Sequence, residues 1–163
     1  MKQATEPEVL YRMAAYCSTA ERCIQDVRKK ITSTGLSDEA AERIISHLLK
    51  EKFIDEKRFT GSFVNDKLRF NKWGRIKINY ELSKKNIPPL LRQEALEGID
   101  DDNYHAILLS LLKEKKKSVK GKDERDIFTK LLRFAAGRGF ESKEAIQCLR
   151  QLFKGNDYED DFE

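Results

Sequence analysis

The chain has 163 residues, of which 39% are apolar and 37% charged, enough for one modest domain with a thin core. No run of about eighteen apolar residues occurs, so no membrane span is expected. The first residues lack a signal-type apolar stretch, and the expected location is the cytoplasm.

Charge is uneven along the chain. Residues 1–54 carry nine bases against eight acids, 55–98 ten against six and 99–154 thirteen against nine. Residues 155–163 carry five acids and no base. A basic body of this kind attracts polyanions with a strength that falls as salt rises. Three cysteines, Cys17, Cys23 and Cys148, without CxxC spacing argue against a disulfide framework and against a zinc site. Cys23 and Cys148 sit among periodic apolar residues and are expected in the core. Cys17 falls near an expected helix start, the one place where a reactive thiol stays open.

Residues 1–7 are expected to be loose. Pro7 marks a helix from Glu8 to about Tyr16. Ser18 and Glu21 have the spacing of a capping box for a second helix, with the stripe Ala20, Cys23, Ile24, Val27 and Ile31. Gly35 ends it and Ser37 caps a third, with Ala40, Ala41, Ile44, Ile45, Leu48 and Leu49 on one side. A fourth starts near Asp55 and carries Phe59, Phe63, Val64 and Leu68.

The next stretch is ambiguous. Ile76, Ile78, Tyr80 and Leu82 alternate as in a strand. On a helix they make two i, i+4 pairs on nearly opposite faces, which predicts a helix buried from two sides. Internal repetition decides for helix. Gly35, Asn86 and Gly139 lie 51 and 53 residues apart. Four positions before them stand Ile31, Leu82 and Ala135, eight before stand Val27, Ile78 and Leu131, and one after stand Leu36, Ile87 and Phe140. The anchor position suits a left-handed backbone, natural for Gly and tolerated by Asn.

Beyond Asn86, Pro88 and Pro89 open a helix through Leu91, Ala95 and Leu96. Asp100 to Asn103 form a turn and cap before a long helix from Tyr104 to about Lys117, rich in lysine at its end, where the helix dipole favours cations. Helices starting at Asp123 and Ser142 complete the count, and 155–163 reads as a disordered acidic tail.

The expected fold is all-α: nine helices in three tandem three-helix repeats, 8–54, 55–99 and 100–154, forming an elongated, curved helical array. His47 and His105 have no metal-ligand or catalytic spacing, no phosphate-binding Gly-rich loop is present, and no nucleophile–base–orienter set assembles. Neither catalysis nor a cofactor is expected.

The triplet order, with Phe53-Ile54-Asp55-Glu56-Lys57-Arg58-Phe59, the run Gly74…Glu81-Leu82…Lys85-Asn86-Ile87 and Lys130-Leu131…Arg138-Gly139-Phe140, resembles the RecX family of recombinase regulators over residues 8 to 153. The family usually has Gly where Asn86 stands and a more basic stretch near Ala14-Ala15-Tyr16. The resemblance implies a non-enzymatic modulator that associates with the RecA–DNA filament and restrains RecA ATPase, strand exchange and co-protease function. It implies a cytoplasmic monomer that also touches single- and double-stranded DNA weakly and without sequence preference.

The basic face assigned to this role is Lys67, Arg69, Lys72, Arg75, Lys77, Lys84 and Lys85 in the middle, extended by Lys113, Lys115, Lys116, Lys117, Lys120 and Lys122. Trp73 stands among the central charges, as a wedge in the core or as a platform for a base or partner. The acidic tail is a candidate competitor for the same face. Two other readings stay open: a helix-turn-helix regulator with a preferred duplex sequence, and a protein-interaction scaffold indifferent to nucleic acid.

Overall fold

The structure, a computed structural model, describes residues 4–153. The expected acidic tail lies outside the described residues. Nine α-helices and no strand occur among those described: α1 (Glu6–Thr19), α2 (Ile24–Thr32), α3 (Asp38–Lys50), α4 (Glu56–Arg69), α5 (Arg75–Lys84), α6 (Pro89–Glu97), α7 (Asp101–Lys116), α8 (Glu124–Gly137) and α9 (Ser142–Leu152). They divide into two compact units. One comprises Met1–Phe63 and Leu82–Glu94, the other Val64–Glu81 and Ala95–Glu163, so the division passes through α4 and α5.

In the first unit, α1, α2 and α3 enclose Val9, Met13, Cys17, Val27, Ile31, Ala41, Ile44, Ile45, Leu48 and Ile54. A capping box forms at the start of the first helix, not at Ser18 and Glu21. Thr5 and Glu8 form the capping box, each side chain answering the other's backbone N–H, and the helix begins at Glu6 with Pro7 in its first turn. Ser18 caps nothing; its hydroxyl donates back to Ala14 O within α1 (2.8 Å). The second helix starts later, at Ile24. Asp26 accepts the Cys23 N–H (3.3 Å) there, and Glu56 accepts that of Ile24 (3.2 Å).

Cys17 is therefore near the end of α1 and buried, and burial raises its thiol pKa. Its environment is that of a core residue rather than of a reactive thiol. Ser37 does cap α3, accepting from Ala40 N (3.1 Å), although Leu49 at its end is exposed.

In the second unit α7, α8 and α9 pack on one another. Phe128 meets Phe153 and Tyr104 meets Phe140 at ring separations of 5.6 and 5.3 Å, oblique contacts typical of aromatic cores. Asp100 and Asp123 cap α7 and α8 through Asn103 N and Asp126 N.

The first turn of α5 is fastened to the end of α8. Gly74 N donates to Arg138 O (2.8 Å) and Ile76 N to Gly139 O (3.0 Å), while Arg75 N donates to the Tyr104 hydroxyl (3.0 Å). N–H groups that a helix start leaves without partners are thus matched with carbonyls that a helix end leaves over. The close approach needs glycine on both sides, because a Cβ at Gly74 would stand 2.4 Å from Gly139 O and one at Gly139 2.3 Å from Lys77 Cβ.

All three anchors adopt the left-handed conformation, with φ of 85° at Gly35, 61° at Asn86 and 88° at Gly139. The central segment is helical. The expected burial of α5 from two sides is not what forms: Ile78 and Leu82 are fully buried, whereas Ile76 and Tyr80 are 58% and 60% exposed.

Two core thiols carry a pH signature. Burial pushes Cys23 up to about 11 and Cys148 up to about 12, from an ordinary value of 9.0. The unfolded chain releases these protons first, so the stability they contribute is whole below pH 9 and is lost as pH rises through the folded values. Each group then withdraws about 1.4 kcal/mol per pH unit above its unfolded pKa. Urea midpoints should hold nearly level from neutral pH to about pH 9 and fall above it. A Cys23→Ala/Cys148→Ala chain should show a shallower fall from its own neutral value.

Candidate nucleic-acid interface

Between residues 67 and 80 the sequence places five cations and no carboxylate. The backbone gathers part of this run. Lys72 takes a left-handed φ of 57°, and the Trp73 N–H then donates to Lys67 O (3.1 Å), folding the segment back on the end of α4. The half-buried Trp73 ring lies 5.0 Å from Lys67 Nζ and 4.8 Å from Lys77 Nζ. Both distances are within cation–π range. Lys72 Nζ donates to Arg69 O (2.6 Å), and the Arg69 guanidinium covers the Phe70 ring at 5.3 Å. Phe70 is 70% exposed. Ile76 and Tyr80, one turn apart on α5, add apolar surface beside Lys77.

Arg75 stands apart from this group. Its guanidinium bonds Glu141 and Asp101, each at 3.0 Å, and lies 3.9 Å over the Tyr104 ring. Burial alone would lower its pKa, but the paired carboxylates outweigh that and raise it. Arg75 also lines a shallow recess with Leu96, Glu97 and Asp101.

Lys84 and Lys85 belong to the first unit. Lys85 pairs with Asp26 (3.0 Å). Burial alone would lift the Asp26 carboxyl, but the bonds from Lys85 and Cys23 outweigh it and hold its pKa below the usual value.

The lysines at the end of α7 divide in the same way. Lys113 is exposed, Lys115 lies 5.0 Å from the Phe134 ring, and Lys117 pairs with Glu114 (3.0 Å). Lys116 is half-buried over Phe153 at 4.3 Å, with its ammonium on Leu152 O. Lys120 and Lys122 are exposed in the following turn, where Lys120 O accepts from Lys130 and the Lys122 N–H donates to Asp126. Thus Lys67, Trp73 and Lys77 converge, while Arg75, Lys85 and Lys116 are drawn into structural contacts. The exposed Phe70, Ile76 and Tyr80 were absent from the sequence-derived set, since their spacing reads equally well as core.

Among the described residues no group of three or more His, Cys, Asp or Glu side chains is placed to hold a metal, and no helix is long and apolar enough to cross a membrane.

A family model described as RecX, second three-helix domain, matches residues 55–96. Regulatory protein RecX of Prosthecochloris aestuarii is 29% identical over 93% of this chain and 98% of that protein. Regulatory protein RecX of Clostridium tetani is 31% identical over 78% of this chain, which spans 59% of that longer relative. The crystal structure of RecX from Lactobacillus salivarius superposes with a TM-score of 0.79, over 90% of this chain and 96% of that one, at 20% identity, a likeness of fold. The chain belongs to the RecX family.

The stretch matched by the RecX model contains the whole cation-rich run from Lys67 to Tyr80, together with Asn86. RecX relatives are regulatory proteins by name, and this chain is a member of that regulatory family.

Proposed function

We propose that this RecX protein acts by binding, not catalysis, on the RecA–DNA filament in the cytoplasm, and restrains RecA ATPase, strand exchange and co-protease function in DNA repair and recombination. The observation that supports the reading is the carboxylate-free run in the second three-helix segment of a RecX chain, with Lys67 and Lys77 set against Trp73 and Lys72 beside it in sequence. Cations so placed suit phosphate contacts without sequence readout.

In this reading Lys67, Arg69, Lys72, Trp73, Lys77 and Lys84 are the central contacts. Lys113, Lys115, Lys117, Lys120 and Lys122 extend them, and Arg75, Lys85 and Lys116 keep the helices that carry them in place. The chain works as a monomer of three helical repeats, 8–54, 55–99 and 100–154.

The deciding experiment is RecA ATP hydrolysis on single-stranded DNA with this protein titrated in. Substoichiometric inhibition is expected. A Lys72→Glu/Lys77→Glu chain of unchanged helicity should need roughly tenfold more protein for the same inhibition at low salt, since two phosphate contacts are lost. ATPase rates indifferent to the native chain would end the proposal.

A further inference from the structure

The indole of Trp73 is half-buried. Two ammonium groups lie 5.0 and 4.8 Å from its ring, and no carboxylate occurs in the surrounding fourteen residues, 67–80. Apolar side chains stand exposed close by in sequence: Phe70 before it, Ile76 and Tyr80 after it. A duplex offers such a surface only phosphates, because its bases are stacked on one another. A single strand offers both phosphates and unstacked bases, each with a π-face.

We infer that Trp73, with Lys67 and Lys77, is a stacking subsite for an unpaired nucleobase of single-stranded DNA. The inference rests on the filament reading above and names which part of the DNA this site takes. As a nucleotide arrives, an ammonium that covers the indole follows the phosphate, and the base takes its place on the ring. The exchange is favourable in direction, because a base–aromatic stack outweighs an exposed cation–π contact. Tyr80, one turn along α5 from Ile76, offers a further exposed ring.

The chain has a single tryptophan, so its fluorescence, excited at wavelengths where tyrosine does not absorb, reports this site alone. The native chain is titrated with oligo(dT) of about twelve nucleotides, a length within the usual site sizes, and with a duplex of equal length at equal salt. Binding is followed separately by anisotropy of a labelled strand. Quenching by the single strand, with little or none from the duplex, is expected. Trp73→Ala should weaken oligo(dT) binding about tenfold or more, while Trp73→Phe keeps it within about threefold.

Oligo(dT) binding without quenching, equal quenching by the duplex, or no binding at all would each overturn the subsite. RecA plays no part in that measurement. Quenching without any effect on RecA ATPase would leave the subsite standing and remove the filament reading, and the reverse result would do the opposite.

Discussion

Replacing Gly139 with alanine should lower the stability of the fold by about 3–5 kcal/mol. Two costs combine. The residue sits at a φ of 88°, where an L side chain pays about 1–2 kcal/mol. Its new Cβ would also stand 2.6 Å from Lys77 N and 2.9 Å from Lys77 Cα, atoms that no rotamer change can move aside. Either the turn after α8 or the start of α5 must give, and with it the bond from Ile76 N to Gly139 O.

Gly74→Ala should behave alike without any positive φ, since its Cβ would meet Gly139 O at 2.4 Å and Phe140 N at 2.5 Å. Gly61→Ala is the control. It lies inside α4 with nothing within 4 Å of the added methyl, and should stabilise by about 0.5–1 kcal/mol through helix propensity and unfolded-state entropy. Urea midpoints of the three variants decide the matter. A mild Gly139→Ala beside a mild Gly61→Ala would mean that the contact between the α5 start and the α8 end is loose.

Those glycines show what the sequence makes legible and what it hides. Gly35, Asn86 and Gly139 are visible as anchors because a left-handed residue leaves a compositional trace and the apolar positions before each recur at fixed offsets. The nine helices among the described residues follow from the same periodicity. Gly74 is not visible in this way: nothing local says that another backbone lies against it.

Charges are harder still. Counting cations from 67 to 85 treats Arg75 and Lys85 as available, yet their carboxylates come from 26, 66 and 59 residues away, at Asp101, Glu141 and Asp26. Separation in sequence conceals such pairs. The spacing of Ile76 and Tyr80 misleads for a different reason, since an i, i+4 apolar pair reads identically whether it meets the core or solvent. Ser18 fails as a cap because serine bonds an i−4 carbonyl as readily as it opens a helix.

The hydroxyl of Tyr104 is the next place where one atom decides much. The ring is 1% exposed against Phe140. Its oxygen accepts the Arg75 N–H and donates to Glu141, and Arg75 lies over its face while bonding the same carboxylate. Tyr104→Phe keeps the ring and removes only the oxygen. It strands a backbone N–H at the start of α5, and should cost about 2 kcal/mol, the range for a buried polar group left unsatisfied. Tyr104→Ala adds the loss of the ring and the cavity it leaves, about 4–5 kcal/mol in all.

The two variants separate packing from hydrogen bonding, and pH provides an independent reading. Burial, and then the Glu141 hydrogen bond, raise the Tyr104 pKa above its ordinary 10.0. The unfolded chain therefore ionises first, and the stability this group contributes is complete below pH 10 and declines as pH rises beyond it. In Tyr104→Phe the decline above about pH 10 should be shallower than in the native chain. A Tyr104→Phe chain with native stability at neutral pH and a native alkaline slope would show that the hydroxyl is solvated, and that Arg75 and Glu141 hold the first turn of α5 without it.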